Sequence, residues 1–240
     1  MVVKKPHEGR VALVTGATRG LGRAIAQRLQ DDGAKVIGTG TRPDGYVPKG
    51  CDYMAVDFTD HRATEAFADK VRARGPLILV NNAGIGIERG IEELTTEEFR
   101  TVHDINLVAP MILCRAVVPA MRKAGWGRIL NVGSIYGTIS REKRVPYSST
   151  KFGIDGLTAS LAPEVARDGI LVNTLSPGFI FTDMVAATAD IDVPALEARI
   201  PIGRMAKPEE IAAFASWLVG PENSYMSGSN LIIDGGLVRV

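Results

Sequence analysis

The sequence predicts an α/β fold: one doubly wound parallel sheet of about seven strands with helices on both faces. Three observations carry that expectation. Short, almost wholly apolar runs recur along the chain, as strands buried on both faces of a parallel sheet require. Stretches with apolar residues three and four apart, the spacing of an amphipathic helix, lie between them. The first apolar run ends in a glycine-rich turn that leads into a helix. The alternation continues from end to end with no repeat or low-complexity tract, so residues 1–240 read as a single domain.

RVALVTG (10–16) is the first strand-like run, and a helix follows over 21–31. AKVIGT (34–39) is the second, leading into a turn-rich loop, GTRPDGYVPKG (40–50). A helix over 62–72 precedes LILVNNAG (77–84). The long helix over 96–123 opens at TTEEF, whose acids suit a first turn. RILNVGS (128–134) leads to a helix over 145–167, then ILVNTLSPG (170–178). Residues 176–206 form a long connection, read as a substrate-binding lid over the same domain. KPEE (207–210) puts Pro at the start of a helix over 209–219, and NLIIDGG (230–236) is the last strand.

Composition narrows the function. Lys and Arg number 28 against 27 acids, a net charge of +1, so no basic field argues for nucleic acid or an anionic membrane. No apolar run is expected to span a bilayer, and no signal-like segment opens the sequence, which suits a cytoplasmic protein. Cys51 and Cys114 lie far apart and read as small hydrophobes. His7, His61 and His103 show no ligand spacing, so no metal site is expected, and there is no GxSxG elbow.

TGATRGLG (15–22) places Gly16, Gly20 and Gly22 between the first strand and its helix. Such a turn brings backbone close to a pyrophosphate and aims a helix N-terminus at it, although the spacing is not the commoner GxGxxG. A glycine turn that only packs helix on strand is the plainer alternative. At the end of the second strand, where an acid would bind an adenosine ribose, stand Gly40, Thr41 and Arg42. With Arg19 in the glycine loop, two guanidiniums are available to a 2′-phosphate, which favours NADP(H) over NAD(H). Arg42 in a solvated loop is the alternative.

Tyr147 and Lys151 are four apart and share one face if residues from 145 onward are helical. An ammonium about 4 Å away would lower a phenol by roughly 3 pKa units, with desolvation opposing it. That would make Tyr147 a general acid/base; a helix-face tyrosine beside a snorkelling lysine is the alternative. Ser134 ends a strand, on the sheet edge where ligands of such folds sit. Asn81 and Asn82 end another, and Pro177 and Gly178 follow a third.

Together these residues resemble the short-chain dehydrogenase/reductase family over nearly the whole chain, which implies a Rossmann-type fold. TGATRGLG resembles the family's cofactor loop, with Gly16, Arg19, Gly20, Leu21 and Gly22; DFTD supplies Asp57 and Phe58 beside the adenine; NNAG supplies Asn82, Ala83 and Gly84. PGFIFT places Pro177, Gly178, Ile180 and Thr182 at the nicotinamide end. Ser134, Tyr147 and Lys151 match the Ser and Tyr-x-x-x-Lys set, and Asn106 matches the helix asparagine that holds a water in a proton relay. The resemblance implies hydride transfer between the nicotinamide and a carbonyl or secondary alcohol. Tyr147 would be the acid/base, Ser134 would orient the oxygen, and Lys151 would tune Tyr147 and bind the nicotinamide ribose. It also implies a homotetramer and no metal.

Within the family the chain is most similar to 3-oxoacyl-acyl-carrier-protein reductases, which implies a small carbonyl or alcohol substrate, either free or linked to an acyl-carrier protein. Tyr136, Phe179 and Met184 are the expected substrate contacts. The charged run at 141–144 (REKR) lies at the expected mouth and reads as a solvated loop rather than a recognition element. The unusual loop with Pro43, Pro48 and Cys51 keeps an NAD-dependent alcohol, polyol, steroid or dihydrodiol dehydrogenase open. A non-catalytic nucleotide sensor is the remaining alternative.

Overall fold

The computed structural model describes residues 5–182 and 192–239. Seven strands form one sheet: β1 (Val11–Val14), β2 (Lys35–Gly40), β3 (Asp52–Ala55), β4 (Ile78–Asn81), β5 (Gly127–Val132), β6 (Ile170–Pro177) and β7 (Asn230–Ile233). Their order is β3-β2-β1-β4-β5-β6-β7, and every neighbouring pair is parallel. The chain winds outward from β1 in one direction, then returns to β4 and winds in the other. The reversal between β1 and β4 opens a crevice at the carboxyl ends of the strands.

The helices are α1 (Gly20–Asp31), α2 (His61–Arg74), α3 (Thr96–His103), α4 (Ala109–Ala124), α5 (Val145–Val165), α6 (Val193–Glu197) and α7 (Pro208–Leu218). Alternate residues of each strand serve opposite faces. Leu13 packs with Phe67 and Val71 of α2, Leu113 and Met121 of α4 and Val165 of α5. Its neighbours Ala12 and Val14 pack with Ile25 and Leu29 of α1 and Ile211 and Leu218 of α7. Both faces are therefore covered, which is why the strand sequences are nearly continuous in apolar residues. The edge strand β3, with neighbours on one side only, carries exposed ends and forms no apolar run.

α3 begins in a capping box, with Thr95 accepting from the Glu98 N–H and Glu98 accepting from the Thr95 N–H. A single π-turn, Asp104–Val108, joins it to α4. By length and composition alone, the run Thr96–Ala124 would suffice to cross a bilayer. More than half of its most apolar stretch is buried inside the protein, so it is a core helix lying on the sheet.

A polar ladder crosses the sheet interior. Asn81 Nδ2 of β4 donates to Asn131 Oδ1 of β5 at 2.8 Å, and Asn131 Nδ2 donates to Thr158 Oγ1 of α5 at 2.8 Å. Thr174 Oγ1 of β6 donates to the same Thr158 oxygen at 2.8 Å. On the far face His7 is fully buried against Ser216 of α7, which donates to Asp32. Burial pushes the His7 imidazole below its ordinary range, so it acts as a neutral staple on the N-terminal segment.

Candidate active site

The glycine loop is held by hydrogen bonds that its sequence supplies. The Thr15 hydroxyl, 2% exposed, accepts from the backbone N–H groups of Asn82 and Ala83 at 2.9 Å each. Asn82 Nδ2 returns to the carbonyls of Thr15 and Gly16, and the Gly16 N–H donates to Thr39 Oγ1. Gly16 has φ +66°, which only glycine adopts without strain. A Cβ on Gly22 would run into the Gly16 carbonyl and the Asn82 amide. Gly22 therefore serves close packing of α1 on the loop, while Gly20 (φ +53°) opens towards Thr182.

These residues border a cavity of about 890 Å³ at the crevice, also lined by Thr41, Arg42, Asp57, Phe58, Gly84 and Thr182. α1 starts at its rim with Arg19 as N-cap, no side-chain cap and no acid in the first turn. An uncapped, acid-free helix N-terminus facing a cavity of this size fits a dinucleotide pyrophosphate. Arg19 and Arg42 both border the space, and Arg42 is 4.0 Å from Asp44, both largely exposed. The Tyr53 hydroxyl donates to the Arg42 carbonyl, so β3 fixes the loop that carries this guanidinium.

Of the expected contacts, Asp57 and Phe58 line the cavity while others lie outside it. Asp57 is spent on a turn, accepting from the Thr59 N–H and hydroxyl. The Phe58 side chain packs edge-on against Phe67 in the core, leaving its surroundings rather than its ring for a ligand. Pro177 ends β6, Gly178 donates to the Ile233 carbonyl, and Ile180 bridges to Ala206, all outside the cavity lining. The Phe179 carbonyl accepts from the Ala206 N–H. Met184 and residues 183–191 of the expected lid lie outside the described residues.

The second cluster forms where β5 ends. Ser134 caps a short 3-10 turn, Ile135–Gly137, and accepts from the Tyr136 N–H at 3.1 Å. α5 starts at Val145 with Pro146 next, which puts Tyr147 and Lys151 on one face. Lys151 Nζ donates to the Val132 carbonyl at 2.7 Å and lies 5.5 Å from the centre of the Tyr147 ring. Its pKa is pushed down to about 8 by burial. Tyr147 moves the other way from the sequence expectation. Burial raises its phenol above the ordinary value, and only in part do a hydrogen bond to Ser134 and the Arg144 charge pull it down. The lysine cannot override desolvation here because its ammonium is turned to a main-chain carbonyl.

Asn106 sits in the π-turn and is buried. Its Oδ1 accepts from the Ile85 N–H, while Nδ2 donates to the Ile85 carbonyl and to Thr150 Oγ1. Thr150 donates in turn to the Tyr147 carbonyl at 2.7 Å. These bonds make the Asn106 amide a brace between the β4 loop and α5.

Within the run 141–144, Arg141, Glu142 and Lys143 are exposed, as expected of a solvated loop, and Arg144 alone turns inward. Arg144 is only 18% exposed and its guanidinium lies 5.1 Å from the Tyr136 ring centre and 6.0 Å from that of Tyr147. It pairs with Glu88, which also takes Arg141 at 3.1 Å. Arg141 Nε donates to the Tyr136 hydroxyl, and the carbonyl of Lys143 (φ +61°) accepts from the Arg89 N–H. Tyr136 and Tyr147 meet edge to face at 6.3 Å. The signal for Arg144 was its place three residues before Tyr147, at the N-cap of α5.

A doubly wound sheet with an anion-ready crevice beside a Ser, Tyr and Lys cluster defines a nucleotide-dependent oxidoreductase. A family model described as Enoyl-(Acyl carrier protein) reductase matches residues 16–238. The 3-oxoacyl-[acyl-carrier-protein] reductase FabG of Vibrio cholerae is 41% identical over 97% of this chain and 99% of that protein. The enzyme of that name from Escherichia coli (strain K12) is 40% identical over the same shares. A crystal structure of a putative NAD(P) dependent gluconate 5-dehydrogenase from Beutenbergia cavernae with bound NADP superposes with a TM-score of 0.91. It is 33% identical, over 99% of this chain and 100% of that one. The chain belongs to the short-chain dehydrogenase/reductase family and is an oxidoreductase acting on hydroxyl or keto groups.

Proposed function

We propose that the protein is an NADP(H)-dependent carbonyl reductase of the 3-oxoacyl-acyl-carrier-protein reductase type. The observation that carries the reading is the convergence of Ser134, Tyr147 and Lys151 at the end of β5, beside the crevice. The relatives named FabG and the NADP-bound neighbour support both the chemistry and the cofactor. When bound, the nicotinamide supplies or takes the hydride. The Tyr147 phenol, protonated at neutral pH, holds the proton at its oxygen and gives it to the substrate oxygen in reduction. Ser134 donates to that oxygen and fixes its place. Lys151 supplies positive charge beneath the site, and Asn106 holds α5 in register through Thr150. Arg19 and Arg42 receive the 2′-phosphate.

The protein is further proposed to be cytoplasmic and homotetrameric, with Met111 of α4 and Phe152 of α5, both exposed, in the interface. Light scattering after gel filtration reads that state directly. The decisive assay follows NADPH absorbance with 3-oxoacyl thioesters, on a carrier and as short mimics. Turnover of both supports the reading; turnover of neither sinks it. A second reading, an oxo- or hydroxy-acid dehydrogenase, is favoured by one observation, the guanidinium of Arg144 beside Tyr147.

A further inference from the structure

Arg141 and Arg144 share one carboxylate oxygen, Glu88 Oε1. Two positive charges against one negative leave a surplus of one. Among the described residues no other carboxylate is within ion-pair distance of either guanidinium. Arg144 Nε is buried and has no hydrogen-bond partner. A buried guanidinium with an unused donor and incomplete charge compensation costs free energy unless something completes it. The guanidinium lies 5.1 Å from the Tyr136 ring centre and 6.0 Å from that of Tyr147, so whatever completes it lies close to the Tyr147 side chain. Glu88, half exposed and in the loop after β4, can leave without disturbing the sheet.

We propose that Arg144 is the specificity residue of this site and binds a carboxylate of the substrate, with Glu88 as the internal counter-ion that the substrate displaces. The inference rests on the carbonyl-reductase chemistry proposed above, takes its substrate from the second reading rather than from the thioester one, and names small oxo acids as the class. A planar guanidinium fork matches a carboxylate in two hydrogen bonds, and a lysine would not. A thioester offers only a neutral carbonyl at that distance. The unpaired Nε and the spare charge are what a neutral substrate would leave unsatisfied.

The test uses 2-, 3- and 4-oxo acids, each paired with its methyl ester, in NADPH-dependent reduction. Wild type is expected to favour the acid of at least one pair by about tenfold or more in kcat/KM. In Arg144→Gln the acid should lose roughly thirtyfold more than its ester, mostly through KM, with part regained in Arg144→Lys. Equal losses on acid and ester would assign Arg144 to holding Tyr147 and overturn the anchor. So would an ester preference in wild type.

A second arm is independent of turnover. With NADPH present, calorimetry on the Tyr147→Phe protein compares the binding of acid and ester. Tighter binding of the acid, abolished by adding Arg144→Gln, sustains the anchor even where no reduction is seen. Equal binding of the two refutes it while leaving the carbonyl-reductase chemistry standing.

Discussion

As the proton donor proposed above, Tyr147 works with a phenol that burial raises further above its ordinary value, so its proton is present at neutral pH but held more tightly. Replacing it with Phe should lower kcat by at least a hundredfold, about 3 kcal/mol of transition-state stabilisation, with the fold intact by circular dichroism. Lys151 shows what the site costs. The unfolded chain keeps that proton to about pH 10.5, the folded chain only to about 8. Between those values the folded state binds fewer protons, so stability rises with pH. Below pH 8 the buried ammonium is a burden of up to about 3 kcal/mol, offset in part by its bond to Val132. Lys151→Met should therefore raise stability at pH 7 by about 1–2 kcal/mol while destroying activity. The gain over wild type should shrink as pH climbs from 8 to 10.5, which urea titrations at several pH values would show. The pair was legible in sequence as spacing; the balance between charge and desolvation was not, because it depends on where the ammonium points.

At the scale of the element, α1 and the loop before it are the most exacting part of the chain. Gly22→Ala would force the loop off the Asn82 amide, costing about 1–3 kcal/mol and weakening dinucleotide binding together. Thr95→Ala, by contrast, removes the α3 capping box, which touches none of Ser134, Tyr147 and Lys151 through its hydrogen bonds. It should cost about 1 kcal/mol and leave kcat unchanged. The helices and central strands could be read from sequence because burial on both faces leaves an apolar signature. β3 could not, since an edge strand has one partner and tolerates polar residues. The π-turn at Asn106 was invisible for a different reason: its residues look helical and only the hydrogen-bond register differs. In the 141–144 run the exposed residues were legible and inward-turned Arg144 was not, because nothing in the run announces Glu88, more than fifty residues away.

Across the whole molecule, work is divided between the two halves of the sheet. On the proposed reading, β1, β2 and the glycine loop would hold the nucleotide, while β5 and α5 would hold the chemistry. Cofactor choice should then be changeable without touching the acid/base. NADPH at a hundred times its Kd should stabilise the protein by about 2.7 kcal/mol, seen as a rise in Tm. NADH at equal concentration should do less, and Arg42→Ala should bring the two together. Equal shifts in wild type would remove Arg42 from phosphate binding. The apolar run Thr96–Ala124 has a further consequence, for the birth of the protein. It leaves the ribosome before β5, β6 and α5, which complete its cover, have been made. For that interval the nascent chain displays a greasy rod long enough to be mistaken for a membrane segment. Yield on overexpression should therefore depend on holdase chaperones far more than the stability of the finished enzyme would suggest, and refolding from urea should lose material to aggregates as concentration rises.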